Sequence, residues 1–582
     1  MVPFLLLAAA INLNQLGYLP DDPKRAIVAD AATRPLAWTI IDERDAVVLQ
    51  GTSVVRGADD ASGDHVHQID FGAVKQPGTY RIRIGDATSG RFRVDRAVYA
   101  PLAHDALNFF YQQRAGTPIV ARWAGARWAR AAGHPHEVAP CFSGRDERGN
   151  SWPGCGYTLD VTGGWYDAGD QGKYVVNAGI AVWTLQNLYE TKLARRLFAD
   201  GRARLPEAGN GRDDLLDEAR WEVEWMLRMQ VPAGARVALP VGGQDPRGAL
   251  RLVAVDAGGM AHHKVADRHW TALPTVPAED REPRPLYPPS TAATLNLAAV
   301  TAQAARLWKT IDPAFAARCR AAAEAAWQAA MRNPAVLAPE SFTGSGSYGD
   351  TRLDDERAWA AAELFATTGD PAYRAALPQG AATEPNWGSV ATLGTITLAT
   401  ADGVPPALRT PARAAIVAAA DGFLAEIPRT GYAIPYASLR YGWGSNSTML
   451  NRAMLLGLAE RFTGAARYRA GAIDAADYIL GRNPLGQSFV SGTGWKPLTN
   501  PHHRFWAHQL DAGLPPPPPG ALSGGPNNSA MSDPVASKLK GTCAPQRCWA
   551  DDINAYALNE VAINWNAPLV WVAAYLDGDA VE

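Results

Sequence analysis

Two patterns of apolar and polar positions divide the chain near residue 96. Before that point, short runs rich in β-branched and aromatic residues, several of them alternating apolar with polar, predict β-strands. Turn-forming pairs such as Pro77-Gly78 separate these runs. The runs cover residues 38–41, 47–49, 65–69 and 80–84. Several short strands at this spacing predict a small all-β sandwich over residues 11–96.

After Arg96 the period changes to that of a helix. Leu215, Ala219 and Val223 recur at helical spacing behind Asp213, which suits a helix N-terminus. The same pattern recurs over residues 291–308, 314–332, 357–367, 411–425, 447–462 and 466–480. Residues 97–582 are therefore predicted to form a mainly α-helical domain. The long irregular segments within it, which in compact domains usually carry function, are 231–290, 337–356 and 486–552.

Composition excludes several classes of partner. Lys and Arg total 55 against 58 Asp and Glu, a net charge of −3, so no basic surface invites nucleic acid. No apolar run of about 18 residues occurs, so no membrane span is predicted. The 19 tryptophans beside 18 tyrosines are explained either by large cores or by aromatic faces that stack on sugars.

Five cysteines suggest an oxidising compartment. Cys141 and Cys155 close one short loop, Cys543 and Cys548 close a shorter one, and Cys319 stands alone in an Ala-rich stretch. Two local disulfides with one buried thiol would suit a secreted or periplasmic protein, and five reduced thiols are the alternative. Residues 1–10 contain a short apolar run, interpreted as a signal-peptide remnant or, alternatively, as a frayed N-terminus.

Two groups of acidic residues have the character of catalytic carboxyls. Asp167 and Asp170 are three residues apart at a loop-to-helix junction, where they could face one cavity and hold a water molecule. A helix cap beside a tight turn is the alternative explanation. Glu560 lies among Val561, Ile563 and Trp565, where burial could raise its pKa as a general acid requires. A solvated helix residue is the alternative there.

A third polar segment lies between these two groups in the sequence. His502 and Arg504, ahead of Trp506, offer hydrogen-bond donors without a nucleophile, which suits the binding of hydroxyl groups. Metal ligation is the rival interpretation. No Cys or carboxylate stands at zinc-ligand spacing beside the further pair His262-His263, which argues against it.

These segments resemble the signatures of the family 9 glycoside hydrolases, a family of inverting cellulases. Residues 488–504, ending in Pro501-His502-His503-Arg504, resemble the family's histidine signature. Residues 549–567 resemble its second signature, which places an aspartate and a glutamate at Asp551 and Glu560. Asp167-Ala168-Gly169-Asp170 is similar to the base motif. Residues 11–96 resemble the immunoglobulin-like module that precedes one branch of these enzymes.

The resemblance implies an (α/α)6 barrel with an open cleft, preceded by the sandwich. By motif position, Asp170 would be the general base, Asp167 would help to hold the attacking water, and Glu560 would be the general acid. Inverting carboxyl pairs lie about 6.5–9.5 Å apart, which leaves room for that water. The remaining residues form the predicted substrate-binding set, in which Asp551 would support the site: His502, Arg504, Asp551, Tyr556 and Trp506.

Metal ions are not required for this chemistry. Related enzymes with this N-terminal module often hold a structural zinc near the base motif, but Ala115, Phe142 and Tyr166 stand here where its ligands are expected. A zinc site is therefore not expected, and Cys141 is left to pair with Cys155. Asp355-Glu356, ahead of Trp359, resembles the family's calcium pair, although a further expected aspartate is Gly388 here.

The leading hypothesis is an inverting hydrolase of β-1,4-glucan or its oligosaccharides, acting as a monomer. An exo-acting β-glucosidase or β-glucosaminidase is the second, because the insert 141–155 and the loop 262–290 could close one end of the cleft. A carbohydrate-binding protein without catalysis is the third. Retention of Asp167, Asp170 and Glu560 together argues against it.

Overall fold

The computed structural model describes residues 10–245 and 248–578. The apolar run interpreted as a signal-peptide remnant falls outside these residues, apart from Ala10. Among the described helices, none is long and apolar enough to cross a membrane.

The first part of the chain is a sandwich of two antiparallel sheets. One sheet has the strand order β1-β2-β6-β5, and the other has the order β4-β3-β7-β8 with β9 beside β7. Its core is a cluster that includes Tyr18, Ile40, Phe71 and Phe92. Over the described residues the strands are β1 (Ala10–Asn12), β2 (Arg25–Ala29), β3 (Ala37–Ile41), β4 (Val47–Thr52), β5 (Val54–Asp59), β6 (Asp64–Asp70), β7 (Gly78–Ile84), β8 (Ala87–Thr88) and β9 (Phe92–Val94).

The rest of the described chain is mainly helical, as the change of period predicts. Short 3-10 turns lie at Ala126–Trp128, Pro371–Ala376, Ile427–Arg429 and Pro545–Arg547. The helices are α1 (Ala100–Gln113), α2 (Ala121–Ala124), α3 (Val175–Glu190), α4 (Asp214–Arg228), α5 (Thr291–Trp308), α6 (Pro313–Arg332), α7 (Asp354–Thr368), α8 (Ala391–Thr400), α9 (Pro406–Glu426), α10 (Ser445–Thr463), α11 (Ala466–Ile479), α12 (Ala536–Leu539), α13 (Tyr556–Asn559) and α14 (Ile563–Asp577).

These helices close a ring. Packing runs from α14 to α3, α5, α7, α8, α9 and α10, and α10 returns to α14. Nearly every residue of α3 and α14 is buried, which is why their sequences are apolar on all sides. Helices such as α4 keep a polar face, and α4 begins where the Asp213 side chain accepts a hydrogen bond from the Leu215 amide. The ring therefore has an apolar centre with connecting loops at its ends.

The long loops are more ordered than the sequence predicts. Segment 231–290 contains a hairpin and several two-residue strands, which are too short to show an alternating pattern. Helix α9 also begins at Pro406, ahead of the predicted 411, so Pro411 lies inside it. The loop strands are β10 (Val138–Pro140), β11 (Ser143–Arg145), β12 (Ser151–Pro153), β13 (Thr158–Asp160), β14 (Lys173–Tyr174), β15 (Arg236–Pro240), β16 (Leu252–Asp256), β17 (Ala261–His262), β18 (Lys264–Val265) and β19 (Pro289–Ser290).

Two disulfides tie the loops locally, as the cysteine spacing predicts. Cys141 is bonded to Cys155, and Cys543 is bonded to Cys548. Cys319 is a buried free thiol in α6.

Polar contacts join the sandwich to the helical domain. The Asn14 side chain donates a hydrogen bond of 2.8 Å to Asp477, whose pKa burial raises to about 7. Asp64 accepts hydrogen bonds from Arg547 and from the Tyr432 hydroxyl, each about 2.8 Å long. Because these partners are buried or half-buried, separating the two parts would leave polar groups without partners.

We expect the fragment 97–582 to be less stable than the full chain. Its buried Asp477 would lose Asn14, and Arg547 would lose Asp64. Losing two or more hydrogen bonds to charged groups costs roughly 3 kcal/mol. Calorimetry of the fragment, of the full chain and of the full-chain variant Asn14→Ala measures this difference. A fragment that unfolds at the same temperature as the full chain would contradict the expectation.

Candidate active site

The loop that bears both aspartates is held against the C-terminal part of the chain by its backbone. The Ile563 amide, at the start of α14, donates to the Asp167 carbonyl over 2.9 Å. The Arg504 amide donates to the Gly169 carbonyl over the same distance. A Cβ atom at Gly169 would lie 2.1 Å from the His502 carbonyl oxygen, so only glycine permits this approach. The fold thus brings together three segments that are distant in the sequence.

Asp167 is fully buried and hydrogen-bonded on both oxygens. The Asn177 amide donates to both of them, and the Tyr348 hydroxyl donates to Oδ2 over 2.7 Å. Burial raises the pKa of Asp167 to about 7, and the charge of Asp170 adds to this rise. The hydrogen bonds from Tyr348 and Asn177 oppose it by favouring the ionised form.

Asp170 lies beside it with a different pattern of contacts. Its Oδ2 accepts hydrogen bonds from the Tyr174 hydroxyl over 2.9 Å and from the Gly172 amide over 3.1 Å. Among the described residues, no hydrogen bond reaches Oδ1. That oxygen is therefore the one on this pair that a water molecule or substrate hydroxyl can use.

Glu560 lies in the short connection between α13 and α14, not on a helix as the alternative explanation supposed. The Gly524 amide holds its carbonyl over 2.7 Å. Burial raises the pKa of the Glu560 carboxyl well above its usual range, and the charges of Asp170 and Asp167 raise it further. The Gly169 amide and Arg504 oppose this rise. Glu560 therefore holds its proton more strongly than a free glutamate does, beside two aspartates.

His502 and Arg504 lie near this group and are held by hydrogen bonds of their own. His502 Nδ1 is 2.6 Å from the Ile553 carbonyl, which can only accept, so Nδ1 carries the proton. Burial lowers the pKa of His502, which leaves the ring neutral with Nε2 as an acceptor. Arg504 Nε donates to Thr271 Oγ1 over 2.7 Å, and the guanidinium lies over the Trp270 ring.

The other predicted binding residues have different positions. Asp551 accepts hydrogen bonds from the Thr499 and Asn500 amides, so it braces the loop that leads to His502. The Tyr556 ring lies 5.6 Å from the His502 ring. Trp506 is 1% exposed and stacks on His503, so the prediction that it binds substrate is corrected to a packing role.

Three aromatic residues at the site were missed by the sequence analysis. Tyr348 holds Asp167 from a loop with no motif of its own. Trp270 and Trp443 are 53% and 43% exposed, and each contacts a predicted binding residue: Trp270 lies under Arg504, and Trp443 is 5.8 Å from Tyr556. The high number of tryptophans was the only sequence feature that pointed to these aromatic residues. It does not show which tryptophans are exposed.

The corner where related enzymes bind zinc does not fit that metal. The Tyr166 hydroxyl is 2.7 Å from His134 Nδ1, Phe142 packs on Tyr287 and Phe342, and Cys141 is bonded to Cys155. Aromatic side chains and a disulfide therefore occupy the positions where cysteine and histidine ligands for zinc would be expected. Over residues 10–245 and 248–578, no three His, Cys, Asp or Glu side chains converge as metal ligands.

Two buried aspartates beside a glutamate whose pKa is raised, flanked by exposed indoles, His502 and Arg504, form the kind of site that glycoside hydrolases use. The chain belongs to glycosyl hydrolase family 9, whose model matches residues 99–573. A model for the cellulase N-terminal ig-like domain matches residues 7–89. The resemblance found in the sequence is confirmed, and so is the fold class, an (α/α)6 barrel preceded by an immunoglobulin-like sandwich.

Relatives are similar over almost the whole chain. A cellulose 1,4-beta-cellobiosidase of Acetivibrio thermocellus is 42% identical over 99% of this chain and 68% of its own length. Endoglucanase C of Cellulomonas fimi is 42% identical over 97% of this chain, which spans about half (52%) of that relative. The crystal structure of a metagenome-derived family 9 endoglucanase matches 98% of this chain and 99% of its own, with 33% identity and a TM-score of 0.84.

We expect Tyr348→Phe to shift the acid side of the pH–activity profile to higher pH. The variant loses a hydrogen bond that lowers the pKa of Asp167, so this carboxyl ionises only at higher pH. If Asp167 acts in its ionised form, kcat/KM at pH 6 should fall about 10-fold, the cost of one hydrogen bond to a charged group. Tyr80→Phe, in the sandwich, is the matched control. An unchanged acid limb would contradict this role of Tyr348.

Proposed function

We propose that the protein hydrolyses β-1,4-linked glucan with inversion at the anomeric carbon. The observation that carries this proposal is the meeting of Glu560 with Asp167 and Asp170, in surroundings that raise the pKa of the glutamate well above its usual range. In this mechanism the Glu560 carboxyl gives its proton to the departing glycosidic oxygen. Asp170 takes a proton from the attacking water through Oδ1, while Asp167 helps to hold that water.

The binding residues suit a neutral sugar chain. Trp270 contacts Arg504, and His502, Tyr556 and Trp443 follow one another in contact, so exposed indoles flank groups that can bind hydroxyls. Asp551 supports this row by holding the loop before His502. The two relatives with 42% identity are a cellobiosidase and an endoglucanase, which supports glucan as the substrate.

We expect Glu560→Gln to fold normally and to lose about 100- to 10,000-fold in kcat on cellohexaose, because the general acid is removed. Glu324→Gln, on the outer surface of α6, is the matched control and should keep its activity. Turnover by Glu560→Gln close to that of the unmodified protein would overturn the assignment of the acid.

NMR of the first product should show the α-anomer, since a β-linkage is inverted. A β-anomer would exclude the inverting mechanism.

Exo action on short oligosaccharides is the second candidate, and one observation favours it. The insert 141–155 packs on loop 337–356 through contacts of Phe142 and Trp152 with Phe342. The Tyr348 end of that loop reaches Asp167, so the loop connects the insert to the proposed catalytic carboxyls. A wall across the cleft would restrict cleavage to chain ends.

The product time course from cellohexaose and from a chitosan hexamer separates the candidates. Mixed internal products at early times mean endo cleavage. One or two sugars released from an end mean exo cleavage, and the faster substrate identifies the sugar. A protein that binds both hexamers and cleaves neither would be a carbohydrate-binding protein without catalysis.

We also propose a structural calcium site beside α7, which the chemistry does not require. Both carboxylate oxygens of buried Glu356 lack a hydrogen-bond partner, and so does Asp350 Oδ2. Asp355, next to Glu356, accepts a hydrogen bond from the Val390 amide. Buried oxygens of this kind are ligands that calcium prefers, and because no three carboxylates converge among the described residues, backbone carbonyls and water would complete the ligand set. A Cβ atom at Gly388 would lie 3.6 Å from Asp350 Oδ2, so the carboxylate expected there would have adjoined this group.

We expect calcium to raise the melting temperature of the protein, and a chelator to lower it. Gly388→Asp should bind calcium more tightly, because it supplies a further oxygen ligand. Gly422→Asp is the matched control, since it adds the same charge on an open face of α9. Calorimetry with and without calcium measures both effects. If calcium changes the melting temperature of neither the unmodified protein nor Gly388→Asp, the site is excluded.

Three further properties are proposed on more general grounds. Two disulfides support a secreted or periplasmic protein. The change from strands to helices between Val94 and Ala100 supports a domain division near residue 96. A monomer remains the simplest proposal for the oligomeric state.

A further inference from the structure

Trp495 is an exposed aromatic residue with no part in the proposed mechanism. It is 46% exposed and lies on the same loop as His502, between the helical domain and the sandwich. Its indole packs on Gly90 of the sandwich. A Cβ atom at Gly90 would lie 2.6 Å, 2.6 Å and 2.9 Å from three adjoining indole carbons. These near-equal distances show that the glycine backbone lies against a ring face.

The backbone of Trp495 is held as firmly as its ring. The buried Gln15 side chain accepts hydrogen bonds from the Trp495 amide over 3.1 Å and from the Lys496 amide over 2.9 Å. Gly494, at φ +86°, lets the chain pass over Gln15, where a Cβ atom would lie 2.5 Å from that side chain. An exposed indole of the helical domain is therefore held by the sandwich at its ring and at its backbone before any ligand arrives, so binding would lose little conformational entropy.

We propose that Trp495, supported by Gly90, is an accessory binding site for a β-glucan chain, outside the catalytic cleft. This inference rests on the proposed function, because it takes its ligand class from the cleft. A fixed, uncharged ring with one covered face can stack its other face on the flat C–H face of a glucose unit. The loop then continues through Thr499 to His502, so the accessory site and the cleft share one rigid segment.

The alternative is that Trp495 only packs the two domains together. The two explanations make different demands on the side chain. Domain packing needs apolar volume against Gly90, which leucine also supplies, whereas stacking on a sugar needs a flat aromatic ring. Trp495→Leu and Trp495→Phe therefore form a matched pair, and Leu510→Ala, at another exposed apolar position, is the outer control.

Binding is measured in the Glu560→Gln background, so that the ligand is not consumed. Retardation in native gels that contain hydroxyethylcellulose gives the affinity for long chains. We expect Trp495→Leu to weaken this affinity about 2- to 12-fold, the value of one aromatic stacking contact, and Trp495→Phe to keep most of it. Leu510→Ala should bind as before. Activity is measured on the protein with native Glu560. There Trp495→Leu should leave kcat/KM on cellotriose unchanged, because so short a ligand stays in the cleft.

Two results would overturn the inference. Equal glucan affinity in all Trp495 variants would show that the ring binds no sugar. Equal weakening by Phe and Leu together with a lower melting temperature would show that the ring serves domain packing. If the protein with native Glu560 hydrolyses no cellooligosaccharide, the proposed function fails. That result is distinguishable from the two binding results that would overturn the role of Trp495.

Discussion

The site depends on one close contact between backbones. Gly169 lies so near to the His502 carbonyl that no side chain fits between them, and its own carbonyl accepts a hydrogen bond from Arg504. Ile563 adds a second backbone bond to Asp167. These bonds join backbone atoms, and the only side-chain requirement is that residue 169 is glycine. They hold the two aspartates, His502, Arg504 and Glu560 together as one unit. The apolar ring of helices serves to carry this unit.

Burial then acts on two carboxyls of this unit. It raises the pKa of Asp167 and of Glu560, and the charges of neighbouring aspartates raise both further. Hydrogen bonds from Tyr348 and Asn177 oppose the rise at Asp167, whose pKa reaches about 7, whereas the Gly169 amide and Arg504 oppose the larger rise at Glu560. The proposed division between acid and base therefore depends on the neighbours of each carboxyl and not on residue type.

Sequence reasoning succeeded where the pattern is periodic or the motif is contiguous. Four of the nine described sandwich strands, most long helices and both disulfides followed from such signals. That Asp167, Asp170 and Glu560 would meet was implied only by the family resemblance. Sequence reasoning failed where position depends on distant partners. Tyr348 belongs to no motif, yet it reaches Asp167 because loop 337–356 folds over the site. Strand β18 likewise pairs with β14, about 90 residues earlier in the chain, which leaves no local trace.

The tryptophans show why composition alone cannot settle function. The buried tryptophans support the explanation by large cores, and the exposed ones are the candidates for stacking on sugars. Trp165, Trp183, Trp225, Trp308, Trp359, Trp506 and Trp571 are fully buried. Trp270, Trp443 and Trp495 are exposed over about half of their surface. Trp506 and Trp495 even share one loop, yet Trp506 stacks on His503 inside the barrel while Trp495 rests on a glycine at its edge. The difference lies in the surroundings of each ring: the Trp506 ring is enclosed by His503 and the barrel core, whereas the Trp495 ring rests on Gly90 at the domain edge and stays 46% exposed.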